Sequence, residues 1–247
     1  MKRKIKTIIS IFILLLIFSC EKYNLEDCFK NTGEIISEER SFSEFSTILL
    51  KDNINLILTY GNEQSVIVEA GKNLMSSIHT EVNDKKLTIS NTSSCNWVRS
   101  YDKPINLYLT SNTLDSIIYR SCGDITCTNT LEYDTLLIQV MEGCGSINLD
   151  LNNQKVFLKE TYGTVDFTLK GKTLTSYIYS AGYGPFDCSE LETNNTFVVN
   201  KSPNDFYVKA SNILDATIDN LGNIYYSGNP AKIHSTITGE GRLIKLD

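Results

Sequence analysis

The residues that could do hydrolytic chemistry are two pairs of acids placed at equal distances from glycines. Asp166 and Asp187 each lie three residues after a glycine, and Glu142 and Glu160 each lie three residues before one. If those glycines mark equivalent positions on stacked strands, the two acids of each pair would stand about 5 Å apart. Retaining glycosidases place two carboxyl groups at about that separation. Carboxylate oxygens could also hold calcium weakly.

Other features of the sequence weigh against such a site. No cluster of Arg, Lys or His accompanies either pair, and the chain has only two histidines, His79 and His234. Solvated surface acids are the simpler interpretation, so we expect no catalytic, cofactor-binding or metal-ligating residues. The Gly-x-Gly motifs are followed by strand patterns, whereas a nucleotide phosphate needs the N-terminus of a helix. The net charge of -6 argues against a nucleic-acid partner, which requires clustered Lys and Arg.

Tyr207 and Tyr225 lie between apolar residues in strand-like segments, so their side chains are expected to point outward. Outward tyrosines could form an aromatic strip that stacks on sugars or binds a protein. Single exposed tyrosines are common, which is the alternative. Together with Asp166 and Asp187, these tyrosines form the candidate ligand surface.

Six cysteines remain besides Cys20, and no Cys-x-x-Cys motif of a zinc ribbon occurs. They are Cys28, Cys95, Cys122, Cys127, Cys144 and Cys188. Six cysteines allow fifteen complete pairings, so the sequence leaves their connectivity open. Cys122 and Cys144 each directly precede a repeat glycine and should stack on adjacent strands, either as a disulfide or as a free pair. Cys28 with Cys95 is a second candidate pair.

A repeat of about twenty residues would position these side chains. A glycine followed two residues later by an apolar residue recurs at Gly123, Gly145, Gly163, Gly184, Gly222 and Gly241, and Asn204 fills the one gap. Successive steps run from 18 to 22 residues. Asn is the usual substitute for Gly where φ is positive, so the repeat is interpreted as a backbone device.

Each repeat contains alternating apolar residues on both sides of its glycine, which indicates strands with one buried face. One unit cannot bury its apolar row alone, so neighbouring units must stack. The sequence therefore predicts an all-β fold, a stacked parallel β-helix or β-solenoid. Residues 34–247 are predicted to form this single domain, with the repeats clearest from 120 to 247. Residues 34–70 fit the repeat poorly and are expected to be an N-terminal strand region that caps one end.

Residues 1–19 are predicted to be a lipoprotein signal peptide. Four basic residues precede the apolar run Ile8–Phe18, which is too short for a permanent transmembrane helix. The following Ser19-Cys20 resembles a bacterial lipobox, in which the cysteine becomes the lipidated N-terminus. An ordinary signal peptide is the alternative. Residues 20–33 would then be a tether, and the protein would be anchored through Cys20 in the cell envelope, at the outer membrane, on either face.

Several motifs together resemble a known family. They are Gly143-Cys-Gly145, Gly182-Tyr-Gly184, Gly239-Glu-Gly241, Phe45-Ser-Thr-Ile48 and Ile224-Tyr-Tyr-Ser-Gly-Asn-Pro230. Over residues 40–247 the chain resembles the putative auto-transporter adhesin, head GIN domain family, which is common among lipoproteins of Bacteroides-like bacteria. The resemblance implies a β-helical fold and an envelope location, and it carries no catalytic residues. Several Gly-Ser-Gly turns of the family are altered here.

Three functions follow from these observations, and we expect the first. The chain could be a lipid-anchored binding or adhesion module rather than an enzyme. It could be a structural or sensing component of an envelope complex. It could also be a carbohydrate-active β-helix enzyme that uses Asp166 and Asp187. The expected partners are the membrane, through the N-terminal lipid, and a glycan or an envelope protein.

Overall fold

The structure, a computed structural model, describes residues 31–93 and 103–246. Strands make up 65% of it, and a 3-10 turn at Met75–Ser77 is the helical element in these ranges. The strands are β1 (Ile35–Glu39), β2 (Thr47–Asp52), β3 (Ile54–Tyr60), β4 (Ser65–Gly71), β5 (Ile78–Asn83), β6 (Lys86–Asn91), β7 (Ile105–Ser111), β8 (Ser116–Ser121), β9 (Ile125–Cys127), β10 (Thr135–Glu160), β11 (Thr164–Ser180), β12 (Phe186–Asn200), β13 (Phe206–Lys209), β14 (Ile213–Ile218), β15 (Ile224–Ser227), β16 (Lys232–Ile237) and β17 (Leu243–Lys245).

The strands coil into a β-solenoid of about six turns, which confirms the predicted fold. Face 1 contains, in stacking order, β6, β2, β8, the two ends of β10, the last parts of β11 and β12, β14 and β16. Face 2 contains β7, β3, β9, the middle of β10, the first parts of β11 and β12, β13, β15 and β17. Every pairing along both faces is parallel, because each coil returns in the same direction.

The core is a set of inward rows that run along the solenoid. Inside face 2 one row consists of Ile125, Ile147, Phe167, Phe186, Phe206 and Ile224, all of which are buried. The rings of Phe167 and Phe186 are stacked with centroids 4.2 Å apart. Full burial of one such side chain stabilises the fold by roughly 1.5–3 kcal/mol. The predicted inward alternation is therefore what holds the coils together.

The register corrects the predicted alignment at one repeat. Val165 pairs with Gly145, and Phe167 pairs with Ile147. Gly163 consequently lies two residues ahead of the glycine column and approaches Gly143 instead. In that coil Val165, and not a glycine, occupies the column position.

The glycine column is explained by close packing more than by backbone conformation. The expectation of a positive φ is confirmed at Gly145 and Gly163, where φ is 134° and 130°, and it is wrong at Gly184, Gly222 and Asn204. A Cβ atom on Gly184 or Gly222 would lie 1.9 Å from the carbonyl oxygen of the coil below, that of Val165 or Asn204. Glycine is selected there because the turns of successive coils touch.

The two ends of the solenoid differ. At the N-terminal end β5 runs antiparallel to β6, β4 runs antiparallel to β7, and β1 runs antiparallel to β4. Arg40 joins the two halves of this cap, since its Nη1 donates to the Ile78 carbonyl and to Thr80 Oγ1, both at 2.8 Å. The N-terminal cap is thus confirmed, while β2 and β3 from the same region are built into the coils. At the C-terminal end all six residues of β16 are exposed.

No helix within the described ranges combines the length and the apolar composition that crossing a bilayer requires. The predicted signal peptide at 1–19, the predicted lipidation site Cys20 and most of the predicted tether at 20–33 lie outside the described residues.

Candidate functional site

One outward position on face 2 carries three of the four predicted surface residues. Asp187 pairs with Tyr207, Tyr207 with Tyr225, and Tyr225 with Ile244, so these residues lie on successive coils. The rings of Tyr207 and Tyr225 are nearly parallel, with centroids 4.9 Å apart and an interplanar angle of 10°. We call Asp187, Tyr207 and Tyr225 the tyrosine column.

Ring stacking limits what the tyrosine column can do. Tyr207 and Tyr225 are half-buried, and each covers one face of the other. A sugar that stacks on an aromatic ring needs an open ring face. The column therefore offers ring edges and phenolic hydroxyls, which donate and accept hydrogen bonds, more than broad ring faces.

Asp187 adds an acidic group at one end of the column. Its Oδ1 accepts hydrogen bonds from the backbone N–H of Ser189 at 3.0 Å and from Ser189 Oγ at 2.6 Å. These two bonds hold the side chain in place through a single oxygen. An ionised carboxylate can accept at both oxygens, so Oδ2 keeps its capacity for a ligand donor.

Asp166 does not stack on Asp187 as the sequence predicted. Asp166 pairs with Ser146, and Asp187 pairs with Thr168. The reason is the register of Gly163, which places Asp166 two residues ahead of the tyrosine column. The geometry expected for a pair of hydrolytic carboxylates on adjacent coils is therefore not formed by these two residues.

The second predicted acid pair is also separated. Glu142 is exposed and pairs with Arg120, whose Nε donates to its Oε1 at 2.8 Å. Glu160 is fully buried and pairs with Ser180. The expectation that both acids are solvated surface groups is wrong for Glu160, because its strand position faces the interior.

The Glu160 carboxyl group accepts hydrogen bonds from groups within the fold. Ser180 Oγ donates to its Oε2 at 2.7 Å, and the backbone N–H groups of Val165 and Gly184 donate to its two oxygens at 3.2 Å. Burial raises the pKa of the Glu160 carboxyl, and these hydrogen bonds offset part of that rise. The carboxyl group therefore satisfies turn amides of two coils.

The cysteine prediction is resolved for one pair. Cys122 and Cys144 form a disulfide between adjacent coils, with Cα atoms 4.4 Å apart. Cys127 is half-buried and Cys188 is buried, and both are free thiols whose pKa is raised by burial. Cys28 and Cys95 lie outside the described residues. Across 31–93 and 103–246 no group of three or more His, Cys, Asp or Glu side chains is placed to hold a metal ion.

A shallow groove of about 410 Å³ lies along the segments that join face 2 to face 1 in the middle coils. Its lining is mixed, with Leu174 and Ala210 beside polar residues such as Asn153, Lys172 and Glu192. Asn153 is buried, and neither atom of its side-chain amide has a hydrogen-bond partner. Because these two atoms are closed to solvent, they would reach a ligand in the groove only after a movement of the side chain. The groove is therefore a weaker candidate than the tyrosine column.

A second aromatic ladder lies on the outward side of face 1. The rings of Phe157 and Tyr177 stack at 4.6 Å, and those of Tyr177 and Phe197 stack at 5.0 Å. This ladder was not among the features predicted from the sequence. The signal was the spacing of twenty residues from Phe157 to Tyr177 and again to Phe197, at the same strand position of three repeats.

The family suggested by the motifs is supported by a direct match. The family described as putative auto-transporter adhesin, head GIN domain, matches residues 44–230. The chain belongs to this family. No curated protein matches the chain.

Solved structures with the same fold share little sequence with this head GIN domain protein. A putative adhesin from Bacteroides fragilis is 24% identical, with a TM-score of 0.79 over 86% of this chain and 97% of that one. A putative lipid binding protein from Parabacteroides distasonis is 17% identical, with a TM-score of 0.68 over 88% of this chain and 98% of that one. At such identities the likeness supports the fold alone.

Proposed function

We propose that the protein is a lipid-anchored binding module of the cell envelope, of the adhesion type, and that it is not an enzyme. The family and the Bacteroides fragilis neighbour are both named as putative adhesins, which favours an envelope or surface role. The observation that carries the proposal is the tyrosine column, where Asp187, Tyr207 and Tyr225 line up on a rigid parallel sheet. A rigid sheet holds such groups at a fixed spacing, which lowers the entropic cost of binding.

The ligand that suits this column is rich in hydroxyl groups, as a glycan is. Two phenolic hydroxyls and one carboxylate at the spacing of successive coils, about 5 Å, match polar groups along an extended chain of sugar rings. The outward positions of face 2 repeat over successive coils, so they suit an extended ligand better than a small enclosed one.

The arrangement of the acids favours binding over hydrolysis. Asp166 and Asp187 are out of register, Glu142 is paired with Arg120, and the oxygens of buried Glu160 are used by turn amides. A glycosidase needs two carboxyl groups that face one bond of the substrate. None of these acids supplies the second group beside Asp187.

The ligand surface is tested by glycan-array retention of the chain and of Tyr207→Ala and Tyr225→Ala. We expect each substitution to weaken retention by about tenfold, a loss of about 1.4 kcal/mol, because it removes a phenolic hydroxyl and a stacked neighbour. Tyr162→Ala is the matched control, since Tyr162 is 70% exposed and lies outside the column. Retention that is unchanged in both column variants, or reduced equally in the control, would count against the site.

The lipid anchor is tested separately by Cys20→Ser. If Cys20 carries the acyl chains, this change should move the protein from the membrane fraction to the soluble fraction, since acyl burial supplies about 0.8 kcal/mol per methylene. Cys127→Ser, which removes a cysteine of the folded domain, should leave it in the membrane. A Cys20→Ser protein that stays in the membrane fraction would show that the anchor is elsewhere.

A second function is favoured by the ladder of Phe157, Tyr177 and Phe197. Stacked aromatic rings on an outward face are typical of protein interfaces, where aromatic residues are enriched. This feature supports a structural or sensing role in an envelope complex. Co-purification of a neighbouring envelope protein that is lost in Tyr177→Lys but kept in Tyr225→Ala would favour this role over glycan binding.

A further inference from the structure

The last coil of the solenoid leaves an inward row uncovered. Ile233, Ser235 and Ile237 of β16 lie in register above three inward residues of β14, namely Leu214, Ala216 and Ile218. The β14 residues are fully buried, whereas Ile233 and Ile237 are 45% and 47% exposed. The same strand also presents an edge of backbone N–H and C=O groups. An exposed apolar edge of this kind pairs readily with another chain.

This end contrasts with the N-terminal end, where the antiparallel strands β1, β4 and β5 cover the first coil. Repeat proteins generally need a polar or covering element at each terminus. The charged residues Lys232 of β16 and Glu240 of the turn after it are themselves exposed, and they leave Ile233 and Ile237 nearly half exposed. The exposed apolar row is therefore suited to pack against another chain.

We propose that this end joins two copies of the chain, through antiparallel pairing of β16 with the partner's β16 about a twofold axis at Ser235. The occupant is a second copy because the inward row is self-complementary. Directly opposite residues of an antiparallel pair point to the same side of the sheet. A register centred on Ser235 places Ile233 opposite the partner's Ile237, and by symmetry the reverse.

Other registers fit less well. A shift of one residue would place inward side chains opposite outward ones and expose the isoleucines again. In the centred register Lys232 lies opposite the partner's Thr238, and His234 lies opposite the partner's Thr236, so like charges do not face each other. Thr238, opposite the partner's Lys232, leads into the turn that carries Glu240, so the twofold axis brings this acid towards the partner's Lys232 and gives charge complementarity at both ends of the pair.

Face 2 contributes less to this interface. Lys245 ends its inward row in β17, and its Nζ donates to Asn229 Oδ1 at 3.0 Å. An inward charge at an edge discourages strand pairing. The pairing is therefore assigned to β16, and it does not depend on the tyrosine column.

The first experiment is cross-linking of Ser235→Cys in the full chain, in cell membranes, on a Cys127→Ser background. Opposite residues of an antiparallel pair have Cα atoms about 4.5–5.5 Å apart, within the range of a disulfide. We expect a covalent dimer on a non-reducing gel after mild oxidation. Thr217→Cys on the same background is the control, because it points outward from β14 one coil away, and it should stay monomeric.

The second experiment measures dimer dissociation of the full chain in mild detergent by sedimentation. Ser235→Lys should raise the dissociation constant at least about tenfold, because two lysines would face each other on the axis. Thr217→Lys should not. Lys232→Glu and Glu240→Lys should each weaken the dimer, and the double variant should recover it.

Several outcomes would overturn the proposal. These are a chain that is monomeric at every concentration, cross-links from Ser235→Cys to a different protein, and a dimer that survives Ser235→Lys. Tyr207→Ala should leave dimerisation unchanged. Loss of glycan retention and loss of the dimer are thus separable results.

Discussion

At the turns between the two faces, buried polar side chains accept hydrogen bonds that the coiled backbone cannot make to itself. Ser121 Oγ accepts from the Gly123 N–H at 3.0 Å, and Asn200 Oδ1 accepts from the Ser202 N–H at 2.8 Å. Buried backbone donors need such partners. Within 31–93 and 103–246, Glu160 is the buried residue of this kind that carries an ionisable group, so it makes one turn of the solenoid sensitive to pH.

The buried carboxyl of Glu160 should give the protein a measurable pH dependence of stability. Its pKa is raised in the folded state, so between its ordinary pKa of about 4.3 and the raised value the folded chain binds more protons than the unfolded chain. The free energy of unfolding therefore falls as pH rises through that window. Glu160→Gln removes this contribution, and urea unfolding at a series of pH values should show a flatter profile.

Glu142→Gln is the matched control for this prediction, because Glu142 is exposed and bonded to Arg120. Its profile should parallel that of the unchanged protein. A Glu160→Gln protein with the original slope would mean that Glu160 titrates in the folded chain as it does in the unfolded one.

Among the elements, the turns that carry the glycine column tolerate the least change. A Cβ atom on Gly222 would lie 1.9 Å from the Asn204 carbonyl oxygen, which is a backbone atom and cannot move alone. Gly222→Ala should therefore lower the free energy of unfolding by about 1–3 kcal/mol, the usual cost of overpacking. Chemical denaturation would measure the loss.

Gly61→Ala provides the comparison, since a Cβ atom there would meet a side-chain methyl of Thr110 at 2.8 Å. A methyl group can shift by a small rotation, so this variant should lose clearly less stability. Equal losses in the two variants would indicate that backbone contact between turns is not what selects glycine.

Strand existence and the inward rows could be predicted from the sequence, because period-2 alternation reports which face is buried. The register could not, since it depends on how many residues each turn uses. Val165 occupies the position that glycine holds in other repeats. An alignment on Gly163 is therefore shifted by two residues, and it wrongly placed Asp166 beside Asp187. For the same reason Glu160 was assigned to the surface, although its strand position points inward.

At the scale of the molecule, the solenoid and its capped N-terminal end could be predicted, because stacking is the one way in which twenty-residue units can bury their apolar rows. The order of the first coils could not be predicted. β2 lies between β6 and β8, and β3 lies between β7 and β9. Such an insertion leaves no periodic trace, because the local pattern of β2 is the same wherever it is placed.

That insertion means that the chain is not assembled in the order in which it is synthesised. The end of β2 bonds to residues 39 and 69 positions later, through Asp52 with Asn91 and with Ser121. Distant contacts of this kind slow folding, because a long loop must close, at a cost in entropy, before the contacts can form. β2 and β3 gain their second neighbours, β8 and β9, only after residues 121 and 127 have been synthesised. A nascent or translocating chain would therefore hold these two apolar strands incompletely paired for about half its length, where transient exposure favours aggregation.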